Sequence, residues 1–150
     1  MAETLRVQIQ RLDHRVEALP SYQTIDSSGM DLRALLDAPL SVPPGGRCMV
    51  PTGLAFAIPS GWEGQVRPRS GLAIKKALTV LNAPGTIDAD YRGEVRVILV
   101  NLGAEPVEIE PGERIAQLVF CPVGRAALLE VDVLPQTQRG AGGFGHTGRE

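Results

Sequence analysis

The densest set of chemically capable groups in this 150-residue chain is Gly85-Thr86-Ile87-Asp88-Ala89-Asp90-Tyr91-Arg92-Gly93. Two glycines bracket two carboxylates and a tyrosine, and the apolar run Val95 to Val100 follows. Glycine-bounded polar residues ahead of such a run predict a tight loop entering a strand. A loop held by a strand aims its side chains well, and glycine lets backbone approach a ligand closely. A carboxylate, an aromatic face and free backbone groups therefore converge within a few residues. The histidines, His14 and His146, lie near the two ends of the chain. A His-based triad or zinc centre is not expected, so a general base should be a carboxylate, Asp88 or Asp90.

Three further clusters and the tail carry polar chemistry. In Arg67-Pro68-Arg69-Ser70-Gly71 two cations, a hydroxyl and a glycine precede a short helical pattern, Gly71 to Ala77, that Ser70 is expected to cap. Guanidinium, hydroxyl and unpaired helix-terminal amides together suit an anion. In Ser28-Gly29-Met30-Asp31-Leu32-Arg33-Ala34, Asp31 could hold the waters of a magnesium ion or pair with Arg33. Pro111 to Leu118 reads as a turn feeding a strand that presents Gln117. After Pro135, residues 136–150 hold five glycines and a single large apolar residue, Phe144, with Arg139 nearby. Such a segment cannot bury enough surface to fold alone. Phe can stack on a flat base and Arg can pair with phosphate, so the tail reads as a lid that orders on binding. Neither Gly-x-x-x-x-Gly-Lys-Ser/Thr nor a Gly-x-Gly-x-x-Gly between strand and helix is present.

The elements that must position these groups are short and strand-like. Glycine and proline number 17 and 12 and are spread along the chain, which marks turns rather than a linker. Leu5 to Ile9, Leu54 to Ile58, Val107 to Ile109 and Leu129 to Val133 show period-two alternation, while Val95 to Val100 and Leu118 to Phe120 look more deeply buried. Many short strands with frequent turns predict an all-β sandwich, barrel or jelly roll. Hydrophobic residues reach 43% but aromatics only 4%, so the core should be aliphatic. A net charge of −2 offers no basic field for nucleic acid, and no apolar run is long enough to cross a bilayer. The charged first twenty residues do not fit a secretory signal, and Cys48 and Cys121 read as reduced core residues. These features point to a soluble, cytoplasmic protein with neither nucleic-acid nor membrane partners.

Together the clusters resemble the trimeric deoxyuridine triphosphate nucleotidohydrolase (dUTPase) family. Its five motifs appear in order, at Ser28 to Ala34, Arg67 to Ala73, Asn82 to Gly93, Gly112 to Phe120 and Arg139 to Gly148. The resemblance implies a jelly-roll-like (β-clip) all-β subunit with one short helix, assembled as a homotrimer with shared active sites. It divides the chain into an all-β domain, 1–135, and a flexible glycine-rich lid, 136–150.

The resemblance also implies roles. Asp88, rather than Asp90, matches the general base that activates water for attack on the α-phosphorus of dUTP. Tyr91 matches the residue whose ring packs under the deoxyribose and leaves no room for a 2′-hydroxyl. Asn82 to Arg96, with Thr86, Ile87 and Arg96 among its substrate-facing residues, matches the hairpin that receives uracil. Arg69, Ser70, Gly71 and Gln117 match phosphate-binding groups. Asp31 matches a residue that reaches Mg2+ through water, and Arg139 and Phe144 match tail residues that close over the γ-phosphate and uracil of a neighbouring subunit. Two other classes share such a scaffold, a deoxycytidine triphosphate deaminase and a non-catalytic nucleotide-binding module. The glycine-rich tail and the residue after Ser70 argue against the first, and retention of Asp88 argues against the second.

Overall fold

The computed structural model describes residues 4–144. The chain forms β1 (Gln8–Arg11), β2 (Met30–Arg33), β3 (Leu40–Val42), β4 (Arg47–Pro51), β5 (Leu54–Ala57) and β6 (Trp62–Arg67). Then come α1 (Ser70–Lys76), β7 (Leu78–Val80), β8 (Gly85–Ile87), β9 (Arg96–Asn101), β10 (Val107–Ile109) and β11 (Arg114–Pro122). The strands pair in the orders β2-β11-β6-β8, β4-β9-β7, β1-β5 and β10-β3. Every one of these pairings is antiparallel. Neighbours in a sheet are mostly distant in sequence, so the expected all-β fold is present and its sheets interlock.

Alternation places one face of each strand inside. Along β9, Arg96 is exposed while Val97, Leu99 and Val100 are buried. Leu32, Val50, Ile109, Ile115 and Leu118 meet Val97 and Leu99 in one aliphatic core, and Phe56 and Phe120 supply an edge-to-face aromatic pair. Asn101 is fully buried. Its amide donates to the carbonyls of Val42 and Glu105 at 3.0 and 2.8 Å and accepts from the Gly103 amide at 2.9 Å. A buried polar group without partners costs about 1–3 kcal/mol, so these bonds fix the β9 to β10 turn.

Four local expectations need correction. The first strand starts at Gln8, three residues later than the alternation at Leu5 suggests. Ser70 is the first helical residue and not the cap; Arg69 holds that position without a side-chain bond to the helix. Cys48 does sit in apolar surroundings, where burial raises its thiol pKa. Cys121 does not, since its sulfur lies 3.6 Å from the Arg67 guanidinium. Finally, Leu129 to Val133 is not a strand. The amide of Val123 donates to the Gly61 carbonyl at 2.8 Å, and from there to Phe144 the chain is almost wholly exposed and irregular. Alternation makes a strand only where an edge pairs with it, and among the described residues this segment pairs with none.

Candidate active site

The segment after β8 is held from several directions. Antiparallel pairing with β6 sets Gln65 opposite Thr86 and Gly64 opposite Ile87. Thr86 therefore faces out, Ile87 faces the core, and Asp88 leaves the strand end exposed. The Tyr91 amide donates to the Asp88 carbonyl at 3.1 Å, closing the turn. The Tyr91 hydroxyl donates to the Glu94 carbonyl at 3.0 Å, which folds the ring back across Gly93. A Cβ at Gly93 would collide with the Tyr91 hydroxyl, so any side chain there would displace the ring. Gly85 plays a similar part for Asn82, whose amide nitrogen would sit 3.2 Å from a Cβ at residue 85.

Asn82, Thr86, Asp88, Tyr91 and Arg96 line a cavity of about 280 Å³ whose apolar walls include Val66 and Ile98. Apolar walls with a few convergent polar groups suit a small flat ligand, and ordinary small-molecule sites start near about 300 Å³. A larger cavity, about 620 Å³, opens beside Asp31 and Arg114 and is lined by Val16, Leu19 and Leu35. It is the roomier of the two, but it lacks Asp88 and Tyr91, and its Arg15 is already bound to Asp13 and Asp37. The smaller cavity is the better candidate for chemistry.

The second group of expected residues gathers on the other side of the same sheet. Asp31 is almost enclosed, with a tenth of its side chain exposed, and two arginines converge on it. Arg69 Nε lies 3.0 Å from Oδ1, and Arg114 Nη1 donates to Oδ2 at 3.2 Å. Arg69 Nη1 also donates to the Arg114 carbonyl at 3.1 Å. The pairing of Asp31 with Arg33 does not form, because Arg33 reaches the Gly112 carbonyl instead. Gln117 stands between Asp31 and Arg67 in the β2-β11-β6 register. Ser70 and Gly71 are exposed at the start of α1. Glu113 ties the far end of the helix to the turn before β11, through Lys76 Nζ at 2.9 Å. Burial raises the Glu113 carboxyl, but bonds from Lys76 and the Glu110 amide outweigh it and hold the pKa below its usual range.

One chain does not bring these two groups together. Asp31 lies on β2 and Asp88 follows β8, the two outer strands of the four-stranded sheet. At about 4.8 Å per strand, three steps separate them by roughly 14 Å. None of Arg69, Ser70, Gly71 and Gln117 lines the hairpin cavity. The tail adds nothing within the same chain: Arg139 donates to its own neighbour, the Gly142 carbonyl, at 2.7 Å, and the Phe144 side chain is fully exposed. The rest of the fifth motif, Gly145 to Gly148 with His146, lies outside the described residues.

Two groups near the hairpin went unnoticed in the sequence. Glu94 accepts from the Gly53 amide and from Arg96 Nε, at 2.9 and 2.8 Å. Thr52 donates from its hydroxyl to the Val95 carbonyl at 2.6 Å. Glu94 directly follows the glycine that ends the loop, a position from which a carboxylate can reach back; nothing local marks Thr52 or Gly53.

A dUTPase family model matches residues 16–148. The chain belongs to the dUTPase family. It is 58% identical to the deoxyuridine 5′-triphosphate nucleotidohydrolase of Methylocella silvestris, over 99% of this chain and 94% of that relative. Among solved structures, a point mutant of the dUTPase of Staphylococcus bacteriophage 80alpha, with dUpNHpp, is 26% identical and superposes with a TM-score of 0.82. That match covers 97% of this chain and 99% of that one. A point mutant of the dUTPase from phage phi11 of S. aureus, described with a structural Mg(II) ion, shares the fold at 21% identity and a TM-score of 0.75, over 87% of this chain and 99% of that one. The family's all-β fold with one short helix is the fold seen here. Among the described residues no helix is long and apolar enough to cross a membrane.

Proposed function

We infer that the chain hydrolyses deoxyuridine triphosphate to the monophosphate and pyrophosphate. The observation that carries this reading is the hairpin cavity itself, with Asn82, Asp88 and Tyr91 around one small space, in a chain 58% identical to a named deoxyuridine triphosphate nucleotidohydrolase. Asn82 and the backbone of Thr86 and Ile87 offer donors and acceptors to the edge of a pyrimidine, while Arg96 lies at the mouth. Cytosine would present the opposite donor and acceptor pattern, and a buried mismatch of that kind is costly. Tyr91, which lines the same cavity, packs under the sugar on this reading, and its bulk excludes a 2′-hydroxyl.

Asp88 acts as general base. It takes a proton from a water that attacks the α-phosphorus, and the bond from phosphorus to the α,β-bridging oxygen breaks, releasing pyrophosphate. Arg69, Ser70, Gly71 and Gln117 bind the phosphates, with Asp31 orienting Arg69 and Arg114 toward them. The donor set fits magnesium carried on the triphosphate rather than a resident ion. No cluster of three or more His, Cys, Asp or Glu occurs among the described residues. Asp31 Oδ1 is buried with no aligned hydrogen-bond donor, an acceptor suited to a metal-bound water. Mg2+, when bound, neutralises phosphate charge.

The separation of the two groups supports a site completed between copies. Asp31 and the Asp88 loop stand at opposite outer strands of one sheet, and none of the phosphate-binding residues lines the hairpin cavity. Such groups meet when identical subunits repeat around an axis, and a homotrimer with shared sites satisfies this. Residues 1–135 then form the catalytic body, and residues 136–150 a lid in which Arg139 reaches the γ-phosphate and Phe144 covers the base. The reading places the enzyme in the cytoplasm, supplying deoxyuridine monophosphate for thymidylate synthesis and keeping uracil out of DNA. Incubation with deoxyuridine triphosphate and Mg2+ should yield the monophosphate and pyrophosphate in equal amounts. Ammonia from the cytosine nucleotide, or binding without turnover, would overturn it.

A further inference from the structure

We propose that Glu94 is a positioning residue for sugar selection, acting through Tyr91; this rests on the reading of Tyr91 as the wall against a 2′-hydroxyl. Glu94 is four-fifths buried at the end of an otherwise exposed loop. Each of its acceptor groups is used to hold that loop. Oε1 takes the Gly53 amide at 2.9 Å, Oε2 takes Arg96 Nε at 2.8 Å, and the backbone carbonyl takes the Tyr91 hydroxyl at 3.0 Å. A carboxylate is suited to this position because both oxygens face donors. Glutamine would keep an acceptor for Gly53 and set an NH2 against the Arg96 guanidinium.

The anchor at the far end is rigid. Gly53 has φ +69°, and a Cβ there would lie 2.6 Å from Val16 Cγ2 and 2.7 Å from Leu35 Cδ2. Those two side chains therefore pack directly against its backbone. On either side of it, Thr52 donates to the Val95 carbonyl at 2.6 Å and the Val95 amide donates to the Leu54 carbonyl at 2.8 Å. The turn at residues 52–54 thus clamps residues 94 and 95, and Glu94 passes that rigidity to the Tyr91 ring. A steric wall discriminates only if it cannot yield, so loosening the strap should cost selectivity before it costs stability.

The test compares specificity constants for the deoxyribose and ribose uridine triphosphates in wild type, E94Q, E94A, Y91A and the Y91A/E94A pair, with Tm for each. E94A should lower the deoxyribose-to-ribose ratio about tenfold, mainly through a gain on the ribose substrate, and E94Q by a few-fold. In the Y91A background, E94A should change the ratio no further, because the wall it supports is gone. If E94A does not fold, E94Q alone decides: an unchanged ratio contradicts the proposal. A lowered Tm with an unchanged ratio in either variant assigns Glu94 to stability only and overturns it. An unchanged ratio in Y91A would instead sink the reading of Tyr91, so the two failures are distinct.

Discussion

The loop from Asp88 to Gly93 and the tail from Gly124 to Phe144 are both exposed, glycine-containing segments, yet the chain treats them in opposite ways. The Tyr91 hydroxyl is tied to the Glu94 carbonyl at the loop's end, and the Glu94 carboxylate and the Val95 amide are in turn tied to the backbone of Gly53 and Leu54. The tail's hydrogen bonds among the described residues are local, from Gly140 to Thr137 and between Arg139 and Gly142. The lesson is one of division of labour. On the proposed reading the loop must discriminate a base and a sugar, and it is held in place because selectivity by shape and by hydrogen-bond pattern fails when the walls move. On the same reading the tail must close and reopen every turnover, and its described residues make only local bonds. Fixing them costs conformational entropy of about 1 kcal/mol or more per residue, which ligand contacts must offset.

The largest effect that could break this contrast lies in the rigid loop. Asp88→Asn keeps shape and hydrogen bonding but removes the proton acceptor, and should lower kcat by roughly 10²–10⁴-fold with substrate binding largely kept. Asp90→Asn should do far less; reversed effects in steady-state kinetics would move the base. Next comes the tail. Ending the chain after Gln138 should leave Tm almost unchanged while kcat falls on the order of a hundredfold, because water is no longer excluded. Protease cleavage after Arg139 should be fast in free enzyme and slowed by a non-hydrolysable analogue with magnesium. Cleavage indifferent to ligand would return the tail to a passive end.

The smallest effect sharpens the rigid side. Despite burial, the Glu113 carboxyl is held below its usual range in the folded chain by Lys76 and the Glu110 amide, so its contribution to stability is present above the ordinary carboxylate range. It is lost as pH falls through the depressed folded value. Glu113→Gln should lower Tm slightly at neutral pH, by less than about 1 kcal/mol of stability for a partly exposed pair. The deficit should vanish on acidification. A deficit that persisted at low pH would mean that packing, not the Lys76 pair, is what Glu113 supplies.

Much of this was legible in the sequence because the signals are local. The apolar segment Leu54–Ala57 and the alternation along Val107–Ile109 mark real strands, and Gly85 to Gly93 announces a loop with a carboxylate and an aromatic ring. What escaped depends on partners distant in sequence. Thr52 and Gly53 matter only because folding sets them against residues 94 and 95, some forty positions later. Leu129 to Val133 carries the pattern of a strand, but a strand also needs a free edge, and periodicity says nothing about edges. Asp31 was assigned by type and motif; that it is gripped by Arg69 and Arg114 rather than Arg33 follows from the β2-β11 register and the approach of the turn before α1.

The central claim is that catalysis joins the hairpin of one copy to the phosphate groups of another, and a mixing experiment tests it most directly. Two inactive proteins are made, one carrying Asp88→Asn and the other Arg69→Ala, and they are unfolded and refolded separately or together, with assembly followed by native mass spectrometry. Each alone should be nearly inactive, whereas a mixed trimer contains sites built from an intact hairpin and an intact phosphate group. Random mixing in equal amounts should restore roughly a quarter of wild-type activity, since a site needs the right member at each of two positions. Mixed trimers that form and remain inactive would contradict the account and confine each site to a single chain.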